Sequence, residues 1–433
     1  MSDTPAHQQA FVRHEFIQPA PPPVAASGPV LWLRENLFSS VFNGLLTLAA
    51  LYAIWWILAA SLPWMLNGVW DASSLAECRE ILAGTSGACW AVLAERWNQL
   101  LFGFTYPQEA YWRLALAFLL LGLAAAPVLF SMVPRRLLAF TAVYPFLAYF
   151  LIWGGSIWTP VLAAAGFVAG YLVYSRLVQQ SFAMGFFGGV LAAFVFWWVS
   201  GFVRPGLDAI LPVGLEAVQS RDIGGFMLNM ILGTVCISLS LPIGIALALG
   251  RQSSMPIIKW VCVVFIEFVR GVPLITLLFV ANVVLAYFLP PGTTFDLILR
   301  VVIMITMFAS AYIAEVIRGG LAALPRGQYE AADSLGLDYA QAMRLIILPQ
   351  ALKISIPGIV NVAVGLFKDT TLVSIIAMFD LVGMIRGPIL ASTEWNGVYW
   401  ELFGAAAALF FVVCYGISQY SQWLERQLQT DHR

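Results

Sequence analysis

Glu330–Pro349 reads EAADSLGLDYAQAMRLIILP and lies in a polar, charge-bearing break between two apolar runs, Leu297–Ile317 and Ile354–Ala377. Its local grammar predicts two short helices. The first begins near Pro325-Arg326-Gly327 and carries Gln328 to Leu335. Gly336 then falls at its C′ position, where a left-handed residue is common. Asp338 caps the second helix, and Gln341 three residues later completes a capping box. Pro349 lacks a backbone donor and marks where the chain turns back toward the next apolar run. The segment reads as a helix-turn-helix along a membrane surface, presenting Glu330 and the small faces of Ala331 and Ala332. Small residues permit close approach of a second protein, and the carboxylate can pair with a basic group on it.

The rest of the chain is apolar enough to supply that membrane. Hydrophobic residues make up 61% of 433 positions and charged residues 10%, against about 25% charged in a soluble domain. Mean hydropathy is +0.85. Such a length holds roughly ten spans of about 20 residues with their loops. The apolar runs are Val41–Leu62, Leu114–Val133, Leu137–Trp153, Trp158–Tyr174, Phe186–Val203, Gly224–Leu249, Ile257–Leu289, Leu297–Ile317, Ile354–Ala377 and Tyr399–Ile417. Phe379–Asn396 is amphipathic and Gly/Pro-containing, suited to the interface or to a partial dip into the membrane. The expected fold is an all-α polytopic membrane protein. An even number of spans puts both termini on one side. With the N-terminus inside, the cytoplasmic segments carry roughly twice as many Arg and Lys as the external ones, the favoured orientation. It also places Glu330 in the cytoplasm.

Charge divides the chain. Before about residue 222 no charged residue falls well inside a run, and after it several do. The expected organisation is a cytoplasmic tail 1–36 and an N-terminal scaffold 37–221 of about five helices with a large periplasmic loop 67–113. A working domain 222–425, with a cytoplasmic loop 319–353, and a short tail 426–433 follow. Gly166–Gly170 and Gly185–Gly189 form GxxxG patterns that let helices pack closely.

Several chemistries are excluded or left without support. The first 29 residues are polar and proline-rich around Pro19–Pro23, with no apolar core of a signal peptide. His7, His14 and His432 all sit in the tails, so no histidine reaches a metal or proton site in the membrane. Cys236, Cys262 and Cys414 fall in apolar runs and read as packing residues. Cys78 and Cys89 share the loop placed outside, where they either form a disulfide or stay as two free thiols. A Walker A motif needs Gly-Lys, and Lys259, Lys353 and Lys368 follow Ile258, Leu352 and Phe367. No Ser/His/Asp or metal-ligand set is present, no catalytic residue is assigned, and no basic tract suggests nucleic acid.

Glu330-Ala331-Ala332, then Gly336, then Ile346-x-Leu348-Pro349 resembles the "EAA" signature, EAA-x3-G-x9-I-x-LP, of the permease subunits of bacterial ABC importers. Phe268-Val-Arg270-Gly271-Val-Pro273-Leu274, Ala311-Tyr312-Ile-Ala-Glu315-Val-Ile-Arg318-Gly319-Gly320, Gly327-Gln328-Tyr-Glu330 and Leu366-Phe-Lys368-Asp369-Thr370-Thr371-Leu372 resemble motifs of the polar amino-acid branch. With its added N-terminal half the chain looks like the larger permeases of general L-amino-acid and glutamate/glutamine/aspartate/asparagine importers. The resemblance implies a MetI-like core in the last five helices, in a bacterial inner membrane. It implies a periplasmic amino-acid-binding protein, a second, similar permease as heterodimer partner, and ABC ATPase subunits that hold the ATP and Mg; this chain binds no cofactor. Glu330, Ala331, Ala332, Gly336, Ile346, Leu348 and Pro349 become the ATPase-coupling residues. The rival from another class is a secondary transporter or channel working alone, for which an inverted repeat would speak; none is visible.

Glu267, Arg270, Glu315, Arg318, Lys368 and Asp369 lie in or near predicted spans. A charge at the bilayer centre costs about 2.5–3.5 kcal/mol, so these face protein or water. Glu267 and Arg270 are three apart and can pair, as can Glu315 and Arg318. Either the charges are internal ion pairs, or some line the path and meet the α-carboxylate and α-ammonium of the substrate. Asn229 and Asn361 suit helix–helix hydrogen bonds.

Overall fold

The computed structural model describes residues 28–284, 287 and 295–429, which are almost wholly helical. Pro19–Pro23, His7, His14, His432 and residues 285, 286, 288 and 289 of the Ile257–Leu289 run lie outside the described residues. Nine described helices are long and apolar enough to cross a membrane, and a bent pair raises this to ten at most.

The chain forms two compact units. The smaller comprises residues up to Val69 together with Leu82–Ala88. It holds α1 (Pro29–Asn36) and α2 (Val41–Leu66). Ser40 caps α2 by accepting from Asn43 N at 3.1 Å. None of the α2 residues is buried, so this span presents apolar side chains all round. Ala88 N donates to Trp64 O and Val69 N donates to Ala88 O, tying the loop back on the end of α2.

The larger unit begins with α3 (Leu75–Leu82), whose last residue is counted with the smaller unit, and α4 (Ala91–Phe102), followed by four spans: α5 (Tyr111–Leu129), α6 (Leu138–Trp153), α7 (Trp158–Leu177) and α8 (Phe182–Ile210). The GxxxG expectation is met between α7 and α8. A Cβ at Gly170 would stand 2.8 Å from Gly189 O, and one at Gly189 would stand 2.9 Å from Gly170 O. Only glycine permits that approach. Gly155–Ser156 and Gly214–Leu215 pair as a two-residue antiparallel ladder between the loops that flank this helix pair.

Among the described residues nine further α-helices build the second half around α9 (Gly225–Arg251) and α12 (Leu297–Ala322), with α10 (Pro256–Gly271) and α11 (Leu274–Phe279) between them. After α12 come α13 (Arg326–Ser334), α14 (Tyr339–Ala342), α15 (Leu348–Asp369), α16 (Leu381–Met384) and α17 (Tyr399–Gln429). α12 is the most buried span. Its small residues Ala309, Ser310, Ala311 and Ala314 let α9 approach, and a Cβ at Gly244 would meet Ile313 at 2.6 Å. Two apolar clusters lie toward opposite ends of this helix pair. One gathers Leu228, Leu232, Ile298 and Ile305 with Leu114 and Ile376; the other gathers Ala248, Ile266, Ile317, Ile347 and Ala351.

The run Ile257–Leu289 is not one span. It breaks at Val272-Pro273, and the two arms, Pro256–Gly271 and Leu274–Val284, meet at 102°. The ring of Pro273 excludes the helical region for the residue before it, and Val272 is extended with φ −105° and ψ 131°. The Phe379–Asn396 stretch packs inward: Leu381, Met384, Ile385, Ile389, Leu390 and Trp395 are all buried.

Candidate functional site

The Pro325–Pro349 segment is built by local capping. Pro325 precedes α13, where a missing N–H removes nothing. At its end Leu337 N donates to Ala332 O and Gly336 N donates to Asp333 O, with Gly336 at φ +70°. This is a Schellman close, and an added Cβ at that φ would be strained. Asp338 Oδ1 accepts from Gln341 N at 2.8 Å, and Gln341 Oε1 accepts from Asp338 N at 3.2 Å, the expected capping box. The second helix differs from its expectation. After four residues it passes through a π-helical turn, Met343–Ile347, into α15, so it is the entrance of a span and not a separate surface helix. Pro349 lies in the first turn of α15, where the ring is tolerated. Gln350 Nε2 donates to Gln328 Oε1 at 2.9 Å and ties α13 to α15.

The segment has two faces. Glu330 and Ala331 are exposed, with Leu335, Tyr339 and Leu345 at 73%, 63% and 63% exposure. Ala332 is fully buried, so it does not belong to the presented face: at about 100° per residue, Glu330 outward turns Ala332 inward. Met343 and Ile347 point the same way and join the cluster of Ile317, Leu321 and Leu324. Ile346 and Leu348 are half-buried, and Gly336 and Pro349 are exposed.

Above this segment sits a cluster of charges. Glu315 on α12 is its hub: Arg318 Nε donates to Glu315 Oε1 at 2.9 Å, Arg251 Nη1 stands 3.4 Å from Oε2, and Arg270 Nη1 stands 3.6 Å from Oε2. Arg251 also pairs with Glu267 at 2.9 Å. Thus Glu315 and Arg318 pair as their spacing predicts, but Glu267 and Arg270 do not pair with each other. Arg251 closes α9 beside both, and takes Glu267, while Arg270 turns to Glu315 and lies 5.5 Å from the centre of the Tyr312 ring. The cluster ties α9, α10 and α12 together at the foot of the 102° bend. Lys368 is exposed and Asp369 half-buried, and neither is a partner in the ion pairs of this cluster.

A third group was not foreseen as a unit. Asn229 of α9 donates to Thr370 Oγ1 at 2.9 Å and to Asp380 Oδ2 at 3.1 Å, and its Oδ1 accepts from Leu381 N at 3.1 Å. Asp380 also caps α16, accepting from Gly383 N at 2.9 Å. All three side chains are fully buried. Burial pushes the Asp380 carboxyl up to about 6, with the hydrogen bonds from Gly383, Asn229 and Val382 acting against it. Asn229 thus serves the helix–helix role expected of it, whereas Asn361 is exposed. The signals for Asp380 were its Asp-x-x-Gly spacing and its place after an apolar run; Arg251 offered only its place at the end of a span.

Cys78 and Cys89 are joined as a disulfide with Cα atoms 5.9 Å apart, and Cys236 and Cys414 are buried free thiols.

Residues 240–428 match the model of the binding-protein-dependent transport system inner membrane component. Over its whole length the chain is 53% identical to the glutamate/glutamine/aspartate/asparagine transport system permease protein BztC of Rhodobacter capsulatus, and covers 100% of it. It is 37% identical to the inner membrane amino-acid ABC transporter permease protein YhdY of Escherichia coli, over 95% of this chain and 96% of that one. A solved structure described as an amino acid ABC transporter with histidines is 32% identical over 47% of this chain and 92% of its own, with a TM-score of 0.42. The chain, a multi-pass protein of the inner membrane, belongs to the amino-acid ABC transporter permeases.

Proposed function

We propose that the chain is the permease subunit of an importer that carries L-amino acids, acidic ones and their amides foremost, from periplasm to cytoplasm. A separate ATPase drives it and holds the ATP and Mg. The observation that carries the coupling is the capped segment Arg326–Ala342 with the turn Met343–Ile347, whose outer face offers Glu330, Ala331, Leu335, Tyr339 and Leu345. Three exposed apolar side chains around one carboxylate suit a groove on a partner protein. The substrate class rests on the full-length likeness to BztC. A periplasmic amino-acid-binding protein delivers the substrate, and both termini are cytoplasmic.

Lys368 supports a second, similar permease. It is exposed on α15 inside a span, and a charge there needs protein or water opposite it. A path between two permeases supplies both, with Lys368 and Asp369 on its wall. Glu267, Arg270, Glu315 and Arg318 answer one another in the cluster and act as fasteners of three helices.

Uptake of labelled L-glutamate into membrane vesicles tests this. Uptake is expected to stop when the partner ATPase is made hydrolysis-dead, and an ion gradient alone is expected to drive none. Robust gradient-driven uptake without ATP would overturn the proposal in favour of a secondary transporter.

A further inference from the structure

The part of the larger unit that leads into its spans, Trp70–Ile81 and Cys89–Arg113, lies outside the family match and outside every transport feature named above. It is nevertheless fastened to the second half of the chain. Leu75 N donates to Glu394 O at 2.9 Å, and Arg96 pairs with Glu394 at 3.6 Å. Cys89 N donates to Glu401 Oε1 at 2.9 Å. The last turn of α4 lies on the corner Gly224–Gly225 so closely that a Cβ at Gly225 would stand 2.6 Å from Leu100 O. A Cβ at Gly103 would stand 2.8 Å from Gly224 Cα. Tyr106, Ala110 and Leu114 share one apolar cluster with Ile223, Leu228 and Met378.

Glu401 is the unusual member. It is 7% exposed in the first turn of α17, and burying a carboxylate is unfavourable unless it is paired or hydrogen-bonded. The backbone N–H of Cys89 supplies a directed donor to it. That donor is held in turn: the disulfide to Cys78, 0% exposed, fixes the start of α4 against α3. The fastening continues into the helices that carry the path residues. Gly225 N donates to Phe379 O at 2.8 Å, the neighbouring Asp380 accepts from Asn229, and Asn229 holds Thr370, next to Asp369.

We infer that Trp70–Ile81 and Cys89–Arg113 form a strap that holds Phe379–Asn396 and the first turn of α9 in their working positions, with Glu401 as its positioning residue and the Cys78–Cys89 disulfide as its brace. The inference rests on the transport proposal and extends it, giving a task to a part of the chain that the family match leaves out. Nothing in the strap needs to touch substrate, so its loss acts on turnover and not on recognition.

Two readouts on the assembled transporter separate the strap from the transport proposal. Hydrogen–deuterium exchange is measured on the purified complex for wild type, Glu401→Ala, Glu401→Gln and the double variant Cys78→Ser/Cys89→Ser. Loss of a buried hydrogen bond is expected to speed exchange of peptides within 379–396 roughly tenfold in Glu401→Ala and in the double variant, while peptides of α7 and α8 stay unchanged. Glu401→Gln keeps an acceptor oxygen and is expected to stay near wild type. Exchange in 379–396 at the wild-type rate in both disruptive variants overturns the strap, whatever uptake shows. Faster exchange throughout α7 and α8 as well also overturns it, since the role is then general stability. In uptake assays Vmax is expected to fall several-fold with KM little changed, and Glu401→Gln is expected to retain the Vmax. A raised KM at unchanged Vmax overturns the positioning role. A wild-type transporter that moves no amino acid refutes the transport proposal, while the exchange data still decide on the strap.

Discussion

The two ends of the α9–α12 pair are fastened by opposite chemistry. At one end Asn229, Thr370 and Asp380 are fully buried and hydrogen-bonded to one another, under an apolar cluster that includes the strap. At the other end Arg251, Glu267, Arg270, Glu315 and Arg318 form ion pairs whose side chains are 23–54% exposed. A satisfied buried network is expensive to open, because each partner left alone forfeits its hydrogen bond in a dry place. Partly exposed ion pairs exchange partners with water at little expense, each contributing about 0–1 kcal/mol. The first end is therefore built to stay and the second to shift. The shifting end is also the one that carries the exposed Glu330 face and the 102° bend.

The sharpest way to break this contrast is Asn229→Ala. It removes the donor to Asp380 and leaves a fully buried carboxylate short of a partner. A loss of about 3 kcal/mol of stability is expected, since a buried hydrogen-bonding group left without its partner costs about 1–3 kcal/mol and more where it is charged. Thermal unfolding of the detergent-solubilised protein measures it. A loss under about 1 kcal/mol would place the fixed end elsewhere.

Asp380 adds a pH test of the same end. Its carboxyl is raised from 3.8 to about 6, so the folded state holds the proton more tightly than the unfolded state. Stability is therefore lowest above about pH 6 and rises as pH falls from 6 toward 4. Integrated over that window, the gain is about 3 kcal/mol at most. The slope is expected to vanish in Asp380→Asn. A wild-type curve that falls steadily over that window would contradict the environment assigned to Asp380.

At the other end Glu315→Gln removes the charge shared by Arg251, Arg270 and Arg318. The three guanidinium groups are 24–42% exposed and keep access to water, so about 1–2 kcal/mol is expected, shrinking as salt is added. Unfolding at two salt concentrations checks this. A loss as large as that of Asn229→Ala, insensitive to salt, would erase the difference between the ends.

These ends also mark what a sequence discloses. The helix pair around Gly336 was legible because its determinants are local: Asp338 and Gln341 answer each other three residues apart, and a C′ glycine closes the helix before it. Glu315 and Arg318 were legible for the same reason. Arg251 and Glu315 are 64 residues apart, Asn229 and Asp380 are 151 apart, and Cys89 and Glu401 are 312 apart. No periodicity links such pairs, so spacing offers Arg270 only the nearest acid, Glu267, on its own helix. Pro273 did announce a break, but an uninterrupted apolar count across it concealed the bend. Ala332 was misplaced because composition names a small residue without saying which side of a helix it occupies.

The smallest expected effect on stability belongs to Glu330→Ala, and it sharpens the contrast most. Glu330 is exposed in the middle of α13, and its backbone carbonyl, not its carboxylate, receives the Ser334 hydroxyl. Alanine is the better helix former, so the fold should change by less than about 0.5 kcal/mol. Amino-acid uptake is expected to fall by about tenfold or more if the carboxylate pairs with a basic group in the partner's groove, as a buried interfacial charge contact of about 2 kcal/mol would require. Co-purification of the ATPase should weaken in parallel, with membrane insertion and Tm intact. Glu330→Asp shortens the reach by one methylene and should recover part of the uptake, whereas Ala332→Leu, aimed at the buried side, should lower Tm without the same selectivity for the ATPase. Loss of uptake with undiminished ATPase binding would move the role of Glu330 from docking to the transmission of force through α13 to the charges at Glu315.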